Sequence, residues 1–208
     1  MTPAIVVGME MEARIACGSG MPVSLLAGAA GLLAEGASGL ISFGIAGGLA
    51  PGLLAGTLVV ASEVVLTDGT RLPARPVECR EAIIAPIAAA PAIVWRVADK
   101  RALHRGTGAA AVDLESGEVA RLCAEAGVPF AVIRAIADPA GRELPPAALI
   151  GMGADGRVDL PAVIRSVARR PSQIPALIGV GLDTRRALRT LAAVDLRLCW
   201  PTPGSSRR

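Results

Sequence analysis

Apolar and polar positions along the chain group into short blocks that read alternately as strands and helices. "PAIVVG" (3–8) is an apolar, partly β-branched run closed by glycine, and "MEMEARIA" (9–16) follows with acids where a first helical turn belongs. "LISFG" (40–44) repeats the strand that ends in glycine, and "TLVVASEVVL" (57–66), rich in valine, is the strongest strand signal of all. "DGTRLPARP" (68–76) has turn chemistry, and "ECREAIIAP" (78–86) reads as a further strand. "ADKRALHRGTG" (98–108) is a helix with glycine at its end, "AAVDL" (110–114) a strand, "ESGEVARLCAEAG" (115–127) a helix and "VPFAVIRAIAD" (128–138) a buried strand that ends on an acid.

Strands alternating with helices predict an α/β fold with a ligand crevice along the strand ends. From Leu160 the pattern turns helical, with "LPAVIRSVARR" (160–170) and, after a proline break, "IPALIGVGLDTRRALRTLAA" (174–193). One domain over 1–198 is expected, with 199–208, ending "PTPGSSRR", as a disordered tail.

From Gly36 to Ser62 no residue is charged, and this run is longer than the ~20 residues that cross a bilayer. Its seven glycines and Pro51 argue against a span, because they leave backbone groups unsatisfied in lipid. Read by period and punctuation, it divides into strand, glycine loop and strand; an integral membrane protein stays a rival reading.

Composition narrows the classes. With 52% hydrophobic and 19% charged residues the chain is not disordered. Lys100 stands alone against twenty arginines, a bias read as base composition of the coding DNA. A net charge of +3, scattered basic residues, no Tyr, two Phe and two Trp speak against nucleic acid as partner. Cys17, Cys79, Cys123 and Cys199 show no ligand spacing and His104 is the single histidine, so neither a zinc site nor a disulfide framework is indicated. The cysteines read as buried free thiols in a reducing cytoplasm. The N-terminus lacks a basic segment before its short apolar run and does not read as a signal peptide.

Three acids interrupt apolar, strand-terminal contexts: Glu12, Glu115 and Asp138. Each alone has a structural reading, as a first-turn acid, a helix N-terminal residue and an N-cap. Together, at the ends of different strands of one sheet, they would converge on one crevice where burial and mutual repulsion raise a pKa into the working range of an acid or base. One histidine permits no Ser/His/Asp triad, no GxxxxGK[ST] loop is present, and "GIAGG" is not GxGxxG.

"GMEMEA" (8–13), "GIAGGLAPGLLAGTLVVASEVV" (44–65) and "AVDLESGEVARLCAEAGVPFAVIRAIAD" (111–138) resemble the purine nucleoside phosphorylase and methylthioadenosine/S-adenosylhomocysteine nucleosidase superfamily over roughly residues 3–140. The C-terminal part, "LPPAALIGMGADGRVDLPAVIRSVARRPSQIPAL", looks most like the hopanoid-associated branch that acts on adenosylhopane. The resemblance implies a three-layer α/β/α fold with a mixed, partly barrel-like sheet and a helical C-terminus. It implies cleavage of the N-glycosidic bond of a 5′-substituted adenine nucleoside, without metal or organic cofactor and with phosphate as the one candidate co-substrate.

In that frame Asp138 protonates the base at N7, Glu12 takes a proton from the attacking water, and Glu115, beside Leu114, binds the ribose hydroxyls. Gly44, Ile45, Ala46, Gly47 and Asp113 form the base and anion loop. Departures from the pattern are Ser42 where a phosphate-binding Arg is expected, Glu12 four residues after Gly8 where another belongs, Ile45 and Ala137 where hydroxyls are common, and Leu114 for a methionine. Trp95 is the nearest aromatic to the region that faces the base in nucleosidases. A carboxylate repels phosphate, so these residues lean toward hydrolysis, while Arg14 and the backbone of 44–48 keep an anion site open.

The alternatives are a nucleosidase for methylthioadenosine or S-adenosylhomocysteine and an inactive nucleoside-binding protein. A homo-oligomer, dimer or hexamer, is expected from the resemblance. Arg185, Arg186, Arg189 and Arg197 read as the solvated basic face of a docked helix, the rival being peripheral contact with an acidic inner membrane face during capture of a lipid-linked substrate.

Overall fold

A computed structural model describes residues 2–150 and 160–200. Strands β1 (Ala4–Val7), β2 (Val23–Leu25), β3 (Leu40–Gly48), β4 (Leu58–Val65), β5 (Arg71–Pro73), β6 (Ile83–Ala89), β7 (Ala111–Asp113) and β8 (Phe130–Asp138) form one mixed sheet. Helices α1 (Glu10–Ala16), α2 (Ala29–Ala34), α3 (Val97–Thr107), α4 (Ser116–Ala126), α5 (Pro146–Ile150), α6 (Leu160–Arg169) and α7 (Ile174–Ala192) surround it.

β8 pairs in parallel with β3 and antiparallel with β4; β4 runs parallel to β6, β6 to β7, and β7 closes antiparallel on the end of β3. Five strands therefore make a ring, and β1, β2 and β5 extend it as open sheet. This is the mixed, partly barrel-like sheet that the family resemblance implies.

Side-chain alternation along each strand sorts the core into two layers. Ala4 and Val6 of β1, Leu40 of β3 and Phe130, Val132 and Ile136 of β8 pack with Ala29 of α2 and Val119, Ala120 and Cys123 of α4. Ile5, Val7, Ile41, Phe43, Ala131, Ile133 and Ala135 pack on the other side with Ala16 of α1 and Ala187 and Leu191 of α7. Ser42 and Arg134 fall in the α4-side register, where an apolar side chain would otherwise sit, and both are buried.

Several sequence expectations need correction. The supposed glycine loop at 44–48 is the second half of β3, paired with β8 up to Gly47 and with β7 at Gly47 and Gly48, so the charge-free run is two sheet strands joined by a turn. No helix among the described residues is long and apolar enough to cross a membrane. The 68–76 turn contains β5, and the strand read from Glu78 begins only at Ile83. β2, α2 and α5 are too short for periodicity to reveal.

Cys17 is exposed, and Cys79 and Cys199 lie with their sulfurs 3.1 Å apart, so the thiols are neither uniformly buried nor isolated. The expected tail starts too early: Cys199 and Trp200 are buried, with the Arg75 guanidinium 4.5 Å over the Trp200 ring. Residues 201–208, and 151–159 of the hopanoid-like block, lie outside the described residues.

Candidate functional site

The C-terminal ends of β1, β3, β7 and β8 gather the polar side chains that the core cannot explain. Glu12 sits in the first turn of α1, directly after β1. Its Oε2 accepts the Gly8 and Met9 N–H groups, each at 3.0 Å, and its Oε1 accepts the Ile45 N–H of β3 at 2.8 Å. Burial raises its pKa above the ordinary glutamate value, against the lowering effects of Arg134 and these three backbone donors. A carboxylate so held is a stronger base than one in water.

Arg134 is the pivot of this cluster. It is 1% exposed in the middle of β8; its Nε donates to Asp113 Oδ2 at 2.5 Å, and one terminal nitrogen donates to Ser42 Oγ at 2.7 Å and Glu115 Oε2 at 3.5 Å. Asp113 has both oxygens engaged, since Oδ1 accepts the Ser116 N–H and hydroxyl at the start of α4. Its expected place in a base or anion loop is thus taken by a structural duty, fixing Arg134 to the α4 N-terminus.

Glu115 is about a quarter exposed, and its carboxyl pKa is pushed up to about 7, chiefly by burial, with Arg134 lowering it and Asp113 and Glu12 raising it further. Gly8 and Gly44 exist to admit these carboxylates: a Cβ on Gly8 would lie 2.4 Å from Glu115 Oε1, and one on Gly44 would lie 2.5 Å from Glu12 Oε1. Glycine here makes room for the acids of the site, not for a ligand directly.

Asp138 stands apart. Gly44 pairs with Arg134 and Gly47 with Asp138, so the two ends of the site are three β3 residues apart, about 10 Å along the strand. The register shifts between Ala46 and Gly47, with Ala137 as the extra β8 residue, a bulge that re-aims the Asp138 side chain. Burial raises the Asp138 pKa, Lys100 and Arg142 act to lower it and Asp183 to raise it, whereas Glu12 acts on Glu115.

Of the remaining expected residues, Ala46 is buried, Ile45 packs partly into the α1/α7 layer and offers its N–H to Glu12, and Leu114 is exposed between β7 and Glu115. Arg14 points its helix turn to solvent. Two residues escaped the sequence reading. Arg134 is the one basic residue of "FAVIRAIAD", and Lys100 is the one lysine of the chain; those are the signals by which the sequence marks them.

Residues 79–169 match the model of the Phosphorylase superfamily. No curated protein matches the chain. Among solved structures, the 5′-methylthioadenosine/S-adenosylhomocysteine nucleosidase of Campylobacter jejuni is 16% identical and superposes with a TM-score of 0.60 over 92% of this chain and 99% of that one. The S-adenosylhomocysteine nucleosidase of Streptococcus pyogenes, in complex with 5-methylthiotubericidin, gives 18%, 0.63, 95% and 96%. A futalosine hydrolase mutant of Helicobacter pylori gives 19%, 0.55, 65% and 89%. At these identities the likeness is one of fold: the nucleoside phosphorylase-type α/β architecture.

Proposed function

We propose that this chain hydrolyses the N-glycosidic bond of a 5′-substituted adenine nucleoside. The observation that carries the reading is the carboxylate cluster of Glu12, Asp113 and Glu115 around a single arginine whose donors Asp113, Glu115 and Ser42 already occupy, while Glu12 acts on it through its charge. Such a cluster favours positive charge on a sugar and disfavours an incoming phosphate.

In the step proposed, the C1′–N9 bond breaks and its electron pair leaves with the base. Asp138 gives a proton to N7, water adds to C1′, and Glu12 takes the proton that water loses. Glu115, once ionised, accepts hydrogen bonds from the ribose hydroxyls and stabilises the oxocarbenium-like cation. The separation of about 10 Å between the Arg134 and Asp138 ends suits a ligand with its sugar at one and its base at the other.

Adenosylhopane is the proposed substrate on the resemblance of the C-terminal sequence, and the exposed Ile174, Ile178 and Leu182 along α7 suit a lipid-linked group or peripheral membrane contact. The fold likeness favours methylthioadenosine or S-adenosylhomocysteine as second candidates. Each nucleoside is incubated with the protein, with and without phosphate, and free adenine and the sugar product are measured. Adenine with free ribose product, independent of phosphate, is expected; ribose 1-phosphate would replace water by phosphate as acceptor, and no adenine from any of them would end the enzymatic reading.

A further inference from the structure

Across a chain that uses arginine for twenty of its twenty-one basic residues, the one lysine lies in the middle of the fold. Lys100 of α3 is completely buried, and its Nζ donates to Asp138 Oδ2 at 2.5 Å, to the Arg142 carbonyl at 2.9 Å and to the Pro139 carbonyl at 3.1 Å. Three acceptors around one nitrogen satisfy the three donors of an ammonium group; a guanidinium, whose donors spread over a planar fork, does not fit that arrangement.

The opposite oxygen, Asp138 Oδ1, is the only buried side-chain oxygen or nitrogen among the described residues with no hydrogen-bond partner. A buried carboxylate oxygen left unpaired costs stability, and its persistence beside a fully engaged Oδ2 marks it as the atom kept for a ligand.

We propose that Lys100 is a positioning residue for Asp138: it pins Oδ2 and so leaves Oδ1 as the atom that meets the purine. This rests on the nucleoside reading above. The groups facing Asp138 are Lys100 from α3, Arg142 from the segment after β8, and Asp183 from α7, itself paired with Arg142 and Arg186. Among them Lys100 opposes the effect of burial most, which keeps the carboxyl acidic enough to release its proton to a base nitrogen.

The test follows kcat, KM and the pH profile of adenine release in Lys100→Met and Lys100→Arg. In Lys100→Met, kcat is expected to fall at least tenfold with KM less affected, and the alkaline limb of the profile to move to higher pH because Asp138 holds its proton longer. Lys100→Arg is expected to keep the limb near its wild-type position without restoring kcat. A fall in activity with an unmoved limb in Lys100→Met makes the lysine merely structural and overturns the proposal, as does unchanged kcat.

Should these variants not fold, the wild-type chain answers alone, since 15N-lysine labelling yields a single side-chain Nζ resonance. Its shift on adding adenine is expected. Adenine that binds without moving it overturns the role of Lys100, whereas adenine that does not bind at all overturns the nucleoside reading.

Discussion

Glu115 carries its charge near neutrality against the cost of leaving water. Its carboxyl, ordinarily near 4.5, titrates at about 7 in the folded chain, mainly through burial. A group that binds its proton more tightly when folded adds stability below the unfolded value, and that stability is lost as pH rises through the folded one. Stability should therefore decline between pH 4.5 and 7, by about 3 kcal/mol at most, and Glu115→Gln should flatten that slope in thermal melts. Because ribose hydroxyls bind the ionised form, kcat/KM for the nucleoside should climb through pH ~7 and lose this limb in the same variant. Asp138→Asn, which has no proton to give N7, should lower kcat by about 10²-fold or more; it also takes the counter-charge from the buried Lys100, so stability should fall as well, by about 3–5 kcal/mol, and kcat is compared well below the melt.

Within single elements, glycines of different duty respond differently to a methyl group. In Gly44→Ala the methyl meets the end of the Glu12 side chain, so the carboxylate must leave the Gly8, Met9 and Ile45 N–H groups; kcat should drop, by up to about 10²-fold, as the base is displaced, and about 1–3 kcal/mol of stability should go with the lost acceptor. In Gly39→Ala, just before β3, the methyl meets the Pro129 carbonyl at 2.5 Å and the Trp200 ring at 2.7 Å, and about 1–3 kcal/mol of stability should be lost to overpacking. The segment ending at Trp200 is held a second way. Cys79 and Cys199 should join under oxidised glutathione, each disulfide formed releasing two reduced glutathione molecules. Denatured thiol titration should then find two thiols of the four, and the linked chain should melt higher; Cys79→Ser should abolish both effects.

Over the whole molecule, the ring of β3, β8, β4, β6 and β7 and the buried charge cluster depend on each other. Arg134 reaches from β8 to Ser42 on β3, Asp113 on β7 and Glu115 at the N-terminus of α4, so one side chain ties three strands and a helix. Arg134→Met leaves Asp113, Glu115 and Glu12 facing one another without a cation, and removing one member of a buried ion pair costs about 3–5 kcal/mol. Urea unfolding should show a loss of that order, together with loss of adenine release.

Alternation and punctuation in the sequence were enough to find β1, β4, β7, β8, α1, α3, α4 and α7, because each buries a face whose period the chain must carry. Glu12, Glu115 and Asp138 stood out for the same reason, as acids at the ends of apolar runs. Where those acids sit relative to one another was decided only by tertiary structure. Strand order pairs β8 with β3, which brings Arg134 within hydrogen-bond distance of Ser42 and ties the two strands through a buried side chain. The bulge at Ala137 and the approach of α3 then give Asp138 a lysine thirty-eight residues away for a partner. Pairings of that range depend on sheet register and helix packing, which no local pattern of apolar and polar residues records.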